Sequence, residues 1–225
     1  MATKEGHVSF THRGETFWTY YKAVGDLDNY TRPPLVVIHG GPGFTHDYLL
    51  PHTDLASQFT PVIFYDQVGN GRSSHLSKEH IPLLNIEFFV AELENLLDHF
   101  GIQDEFHIVG HSWGGMLAAE FVVRKHPKGL KRLVLTNSPA AVALRVKSTN
   151  ELVKEFPPSV QDVIAKGQAE DGPAWREAMM AFYAKHGCRV QPFPEEVART
   201  FAYAFGEKGS RTVIEAGSVV NITKL

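Results

Sequence analysis

The chain has 225 residues and carries 22 Lys and Arg against 25 Asp and Glu, a formal charge of −3. At roughly 150 residues per domain this is one domain, or one domain with an insertion, and a 43% hydrophobic share with 21% charged residues excludes general disorder. The balance provides no clustered cationic face for nucleic acid, and the single cysteine, Cys188, excludes an internal disulfide framework and any site built from several thiolates.

In chain order, two β-rich pieces, 7–10 and 16–24, flank Gly14 and predict a hairpin. Pro33-Pro34 opens an unbroken apolar run, 35–38, and a second run follows at 62–65, each closed by glycines. Such runs suit strands buried on both faces of a parallel sheet. Residues 46–58 between them predict a crossover helix. Residues 85–100 give a clear amphipathic helix, with Phe89, Leu93, Leu96, Leu97 and Phe100 on one face and Glu92, Glu94 and Asp98 on others. Strands at 106–109 and 133–135 with a helix at 114–126 complete an alternation that predicts an α/β fold with a mostly parallel sheet. Past Pro139 the pattern turns helical, around 148–156, 159–169, 174–186 and 194–205. This predicts a core over 1–140, a helical cap over 141–205 and an atypical tail over 206–225 with one β-like piece at 211–214. No apolar run reaches the ~20 residues of a membrane span, and residues 1–7 carry no apolar signal core. A soluble, cytoplasmic protein is expected, with no membrane partner.

Chemistry concentrates in three glycine-rich breaks at strand ends, where ligands sit in open α/β sheets. Gly110-His111-Ser112-Trp113-Gly114 is G-x-S-x-G between a strand and a helix. So sharp a reversal needs small flanking residues and lifts the serine hydroxyl out at the top of the sheet. The bland alternative is a β–α turn with a serine cap. His39-Gly40-Gly41-Pro42-Gly43 follows the first buried strand, and a backbone N–H approaches an oxyanion only where no side chain intervenes. In the third break, residues 66–74, Gly69-Asn70-Gly71 has Ser74 where a dinucleotide loop needs its third glycine, so a loop bracing the site floor is expected.

Together the three motifs resemble the α/β-hydrolase superfamily, and within it the proline iminopeptidase branch (serine peptidase family S33) with its related amino-acid amidases. That branch is marked by H-G-G-P-G, D-Q-x-G-x-G-x-S and G-x-S-W-G, which stand here at 39–43, 66–73 and 110–114. Two positions depart from the usual pattern: His111 stands where G-G-S-W-G has its second glycine, and Val68 where an arginine is common. The resemblance implies Ser112 as nucleophile, with oxyanion N–H groups from Gly41 and Trp113. It implies Gly40, Glu195 and Glu196 at the substrate, the two acids facing its ammonium group, although a solvated helix start explains them equally well. The implied substrate is a small peptide or an amino-acid amide, with no metal or organic cofactor.

A serine nucleophile needs a base and an orienting acid, which in this superfamily follow it in chain order. The later histidines are His126, at the far end of the next helix, and His186, at the end of a cap helix, where a C-terminal dipole partner is the expected role. The resemblance implies two further strands carrying acid and histidine, and residues 206–225 match neither. The expectation is therefore a fold lacking its last two strands, with an open edge at 133–135 and impaired catalysis. A general esterase of the same fold and a non-catalytic binding module remain the alternatives. Oligomeric state is not legible in the sequence.

Overall fold

Arg13 and Gly14, at φ 50° and 84°, form the two-residue turn that joins β1 (Thr3–His12) to β2 (Glu15–Val24). Positive φ at both central residues matches the twist of the strands, which pair antiparallel from His12 opposite Glu15 to Thr3 opposite Val24. The predicted buried runs are β3 (Leu35–Ile38) and β4 (Val62–Asp66), in which every residue is buried. With β5 (Phe106–His111) and β6 (Leu130–Thr136) they form a six-stranded sheet of order β1-β2-β4-β3-β5-β6, parallel from β4 to β6. The computed structural model describes residues 1–167 and 172–206, so the piece at 211–214 lies outside the described residues. Contacts divide the chain into two units, one of Met1–Pro139 with the described residues from Arg199 onward, the other of Ala140–Ala198.

Helix α1 (Ile86–Phe100) is bounded as the sequence predicts: Asn85 accepts from the N–H of Phe88, and Gly101 closes it at φ 62°. Glu92 corrects the expected polar face, being only 1% exposed. Its Oε1 accepts from the Thr19 hydroxyl at 2.6 Å and the Val68 N–H at 2.8 Å, so side-chain partners and not helical position made burial tolerable. The crossover at Asp47–Gln58 is a 3₁₀ helix containing Pro51, which has no N–H for a helical ladder. A short 3₁₀ helix follows at Lys78–Leu83. After α2 (Trp113–Lys125) and β6 come α3 (Val142–Val153), α4 (Pro158–Lys166), α5 (Gly172–His186) and α6 (Glu195–Phe205). Helix α3 begins six residues before the predicted 148. Its apolar members Leu144 and Val146 are exposed, so no buried stripe marked its start.

Within the second unit, His186 packs on Phe156 and Phe182 at ring distances of 5.7 and 5.1 Å and faces Glu155. In the first unit, the C-terminal part of α6 packs Phe201 and Phe205 edge-on against Phe44. At the sheet edge, Val134 and Leu135 of β6 are 49% and 50% exposed. Among the described residues no helix is long and apolar enough to cross a membrane.

Candidate active site

The end of β5 passes into α2 with no intervening loop. Gly110 sits so close beneath the helix that a Cβ there would lie 2.6 Å from the Gly115 Cα, and one on Gly114 would lie 2.6 Å from the His39 carbonyl oxygen. Backbone meets backbone at both points, so only glycine fits. Between them Ser112 adopts φ 54°, ψ −118°, a region that side-chain-bearing residues rarely enter and that costs about 1–3 kcal/mol. The surroundings hold it there: Ser112 N–H donates to Thr136 at 2.9 Å, and its carbonyl accepts from Ser138 Oγ and Gly115 N–H, each at 3.0 Å. Trp113 is the first helical residue, so its N–H belongs to the first turn, whose donors lack intrahelical partners and lie at the positive end of the dipole.

The loop after β3 packs against this turn. His39 is fully buried, and burial lowers its pKa, which keeps the ring neutral. Its Nε2 accepts from Gln67 N–H at 3.0 Å, so Nδ1 carries the proton and donates to the Gly40 carbonyl at 2.8 Å. Gly40 N–H donates to the Tyr48 hydroxyl at 2.8 Å. Both polar backbone groups of Gly40, expected at the substrate, thus have protein partners. Gly41 follows at φ 120°. Gln67 ties loop to helix: its Nε2 donates to the His39 carbonyl at 3.0 Å, and its Oε1 accepts from Trp113 Nε1 at 2.9 Å.

Beneath lies a buried carboxylate. Asp66 accepts from the His46 N–H at 2.9 Å, His46 Nδ1 at 2.8 Å and the Arg72 N–H at 3.0 Å. Burial opposes its ionisation, yet the hydrogen bonds from His46 prevail and hold its pKa below the usual carboxylate range. A Cβ on Gly71 would meet the Asp66 carboxyl carbon at 2.6 Å, so the glycines of 66–73 make room for this acid and not for a phosphate. Asp47, also buried, takes both Arg72 guanidinium nitrogens at 3.2 Å and pairs with Arg199 at 3.3 Å. Thr45 reaches Thr200, hydroxyl to hydroxyl, at 3.0 Å.

The structure therefore brings Ser112, Trp113 and the Gly40–Gly41 loop together around one helix start. Glu195 and Glu196 lie in the first turn of α6. Tyr48, Gln67 and Glu92 were missed as site residues. Gln67 alone had a signal, its place in the D-Q motif. The histidines whose side chains hydrogen-bond nearby direct those bonds elsewhere: His39 to Gly40 and Gln67, His46 to Asp66, His52 to the Leu49 carbonyl, His111 to Tyr48. Among the described residues no group of three or more His, Cys, Asp or Glu is placed to hold a metal ion.

The α/β hydrolase fold family matches residues 33–205. A protein of Thermoplasma volcanium named proline iminopeptidase is 36% identical over 213 residues, 93% of this chain and 69% of its own length. Among solved structures, that of VinJ superposes with a TM-score of 0.83 at 38% identity, covering 94% of this chain and 69% of VinJ. The proline iminopeptidase of Mycobacterium smegmatis gives 0.75 at 32% identity, covering 94% and 70%. The chain spans 59% to 69% of the length of these curated relatives.

Proposed function

The chain belongs to the α/β-hydrolase fold family, among relatives that are proline iminopeptidases, and from that premise we propose that it is a serine hydrolase of that type. Its substrate is a small peptide or amino-acid amide, and the reaction runs through an acyl-enzyme on Ser112. The observation that carries the proposal is the Ser112 backbone, strained at φ 54°, ψ −118° between a buried strand and a helix start. Such strain persists only where the surroundings over-determine it, and it clusters at reactive residues. In the proposed step Ser112 Oγ attacks the scissile carbonyl carbon, and the N–H groups of Trp113 and Gly41 take the charge that develops on oxygen. Collapse expels the amine, which leaves with the proton given up by Ser112, and water then cleaves the ester, releasing the acid and restoring the serine hydroxyl.

The Ser112 proton needs a base, and the neighbouring histidines direct their bonds elsewhere. Turnover by this chain is therefore expected to fall several powers of ten below that of a complete triad enzyme, since triad losses of that size leave only the contribution of the oxyanion donors and binding. Mass mapping after treatment with a fluorophosphonate tests the assignment: the label is expected on Ser112 and absent from Ser112→Ala. A label elsewhere, or equal labelling of the variant, overturns it. Calorimetry with an amino-acid amide and its N-acetyl form tests the substrate class. The free amine is expected to bind at least ~10-fold tighter, the scale of a lost charge-assisted hydrogen bond. Equal affinities would favour an esterase-like hydrolase. A binding module without turnover is the second reading, favoured by the engagement of the described neighbouring histidines with other partners. It requires amide binding that Ser112→Ala leaves intact together with no labelling.

A further inference from the structure

The Gly41 N–H shares a peptide unit with the Gly40 carbonyl. A trans peptide is planar, with C=O and N–H pointing in opposite directions, so whatever fixes the Gly40 oxygen also fixes the Gly41 N–H. Glycine on both sides makes rotation of this unit cheap, and its direction must come from neighbouring side chains. His39 Nδ1 holds the Gly40 oxygen at 2.8 Å, and the Tyr48 hydroxyl holds the Gly40 N–H at 2.8 Å. The same hydroxyl lies 2.7 Å from His111 Nδ1, with the two rings edge-on at 5.2 Å. A Cβ on Gly40 would stand 3.0 Å from the Tyr48 oxygen and 3.1 Å from His111 Nδ1, so these groups close on one point of the loop.

We propose that Tyr48 and His111 are a positioning pair for the oxyanion loop. The neutral His111 ring accepts the Tyr48 hydroxyl proton, the Tyr48 oxygen accepts the Gly40 N–H, and the His39–Gly40 peptide that leads into the oxyanion loop is thereby held in place, while His39 Nδ1 holds the Gly40 carbonyl and with it the Gly41 N–H. The proposal rests on the reading of Ser112 as nucleophile. The proton placement follows from the donors: the Gly40 N–H only donates, so the hydroxyl's single proton goes to Nδ1 and the ring proton sits on Nε2. Burial, with a smaller contribution from nearby His52, lowers the His111 pKa and favours this neutral acceptor. Among the described residues, the titratable groups that act on His111 are Tyr48 and His52, both on the 3₁₀ helix. On β6 its register neighbour is Thr136, which carries no charge. The pair depends on His111, the position at which this chain departs from the glycine of the motif it resembles.

The test compares wild type, Tyr48→Phe, His111→Ala and His111→Asn by two measurements: the rate of Ser112 labelling by a fluorophosphonate, and NMR hydrogen exchange of the Gly40 and Gly41 amides. Tyr48→Phe keeps the ring contacts and removes only the hydroxyl. It is expected to slow labelling by about tenfold or more, a fraction of what loss of an oxyanion donor costs, and to speed Gly40 exchange about fivefold or more. His111→Asn, whose carbonyl oxygen replaces Nδ1, is expected to recover at least half of what His111→Ala loses on a logarithmic scale. Only the histidine protonates, so the ratio of wild-type to His111→Asn rates is expected to fall below pH 6.5, a signature that packing alone does not give. Equal labelling in wild type and Tyr48→Phe overturns the proposal, as does slower labelling with unchanged Gly40 exchange. If the wild-type chain takes no label, the reading of Ser112 falls by itself, and exchange alone judges the pair. Faster Gly40 exchange in Tyr48→Phe and His111→Ala, restored by His111→Asn, then supports it, and unchanged Gly40 exchange overturns it.

Discussion

Glu92 shows how much one residue's surroundings decide. Its carboxyl is buried, and burial pushes its pKa up to about 8 despite the hydrogen bonds from Thr19 and Val68. The native state therefore holds a proton that the unfolded chain loses near 4.5, and stability falls as pH rises from about 4.5 to about 8. Glu92→Gln, which keeps the shape and has no charge to lose, is expected to lack that slope. Urea midpoints at pH 5 and pH 8 check this: the wild-type decline is expected to exceed that of the variant, by up to a few kcal/mol. The buried neutral His39 pulls the other way, since a lowered pKa loses stability as pH falls below 6.5, and the difference between the two proteins cancels it. None of this was legible in the sequence. Glu92 stands beside Glu94 in a helix and looks equally solvated, and Tyr48 carries no motif. The turn that carries Ser112 and Trp113 was legible because its spacing belongs to a reversal that few sequences can make.

Among the elements, β3, β4 and the helix α1 were read correctly because burial on a sheet imposes unbroken apolar runs and a helix stripe imposes a period. The crossover at 47–58 is helical as expected, though 3₁₀, and the start of α3 was misread for the opposite reason. A proline interrupts the first, and exposed apolar residues blur the second. The tightest junction is β5 to α2. Gly114→Ala presses a methyl group onto the backbone at residues 38 and 39, which have no room to move. It is expected to destabilise the protein by about 3 kcal/mol or more, the upper range for overpacking. Gly172, with nothing within 4 Å of a built Cβ, is the control. Gly172→Ala is expected to change stability by less than about 1 kcal/mol, and thermal unfolding of both variants provides the comparison.

At the scale of the whole molecule, the sheet formed by the described residues has one blunt side and one open one. The β1–β2 hairpin closes the first with exposed polar residues. On the second, β6 presents Val134 and Leu135, half exposed, beside backbone groups that no described residue pairs. Unpaired apolar edges template association. The 225-residue chain is expected to show concentration-dependent light scattering, and Val134→Lys or Leu135→Lys is expected to reduce it. Scattering that is independent of concentration, or unchanged by either lysine, would refute this. Composition and periodicity describe the strands that are present and are silent on which of them end a sheet.

The contacts that join Thr45 to Thr200 and Asp47 to Arg199 link segments separated by some 150 positions. During synthesis, the loop that carries Thr45 and Asp47 leaves the ribosome long before its partners exist. At ~5–20 residues per second the wait is roughly 8–30 s, far longer than the microseconds in which a hairpin such as β1–β2 forms. The nascent chain thus lives for many seconds with its hairpin and first buried strands formed and two acids, Asp47 and Asp66, near one another without Arg199. Early chaperone contact is most valuable in that interval, and a translational pause placed before codon 199 would lengthen it.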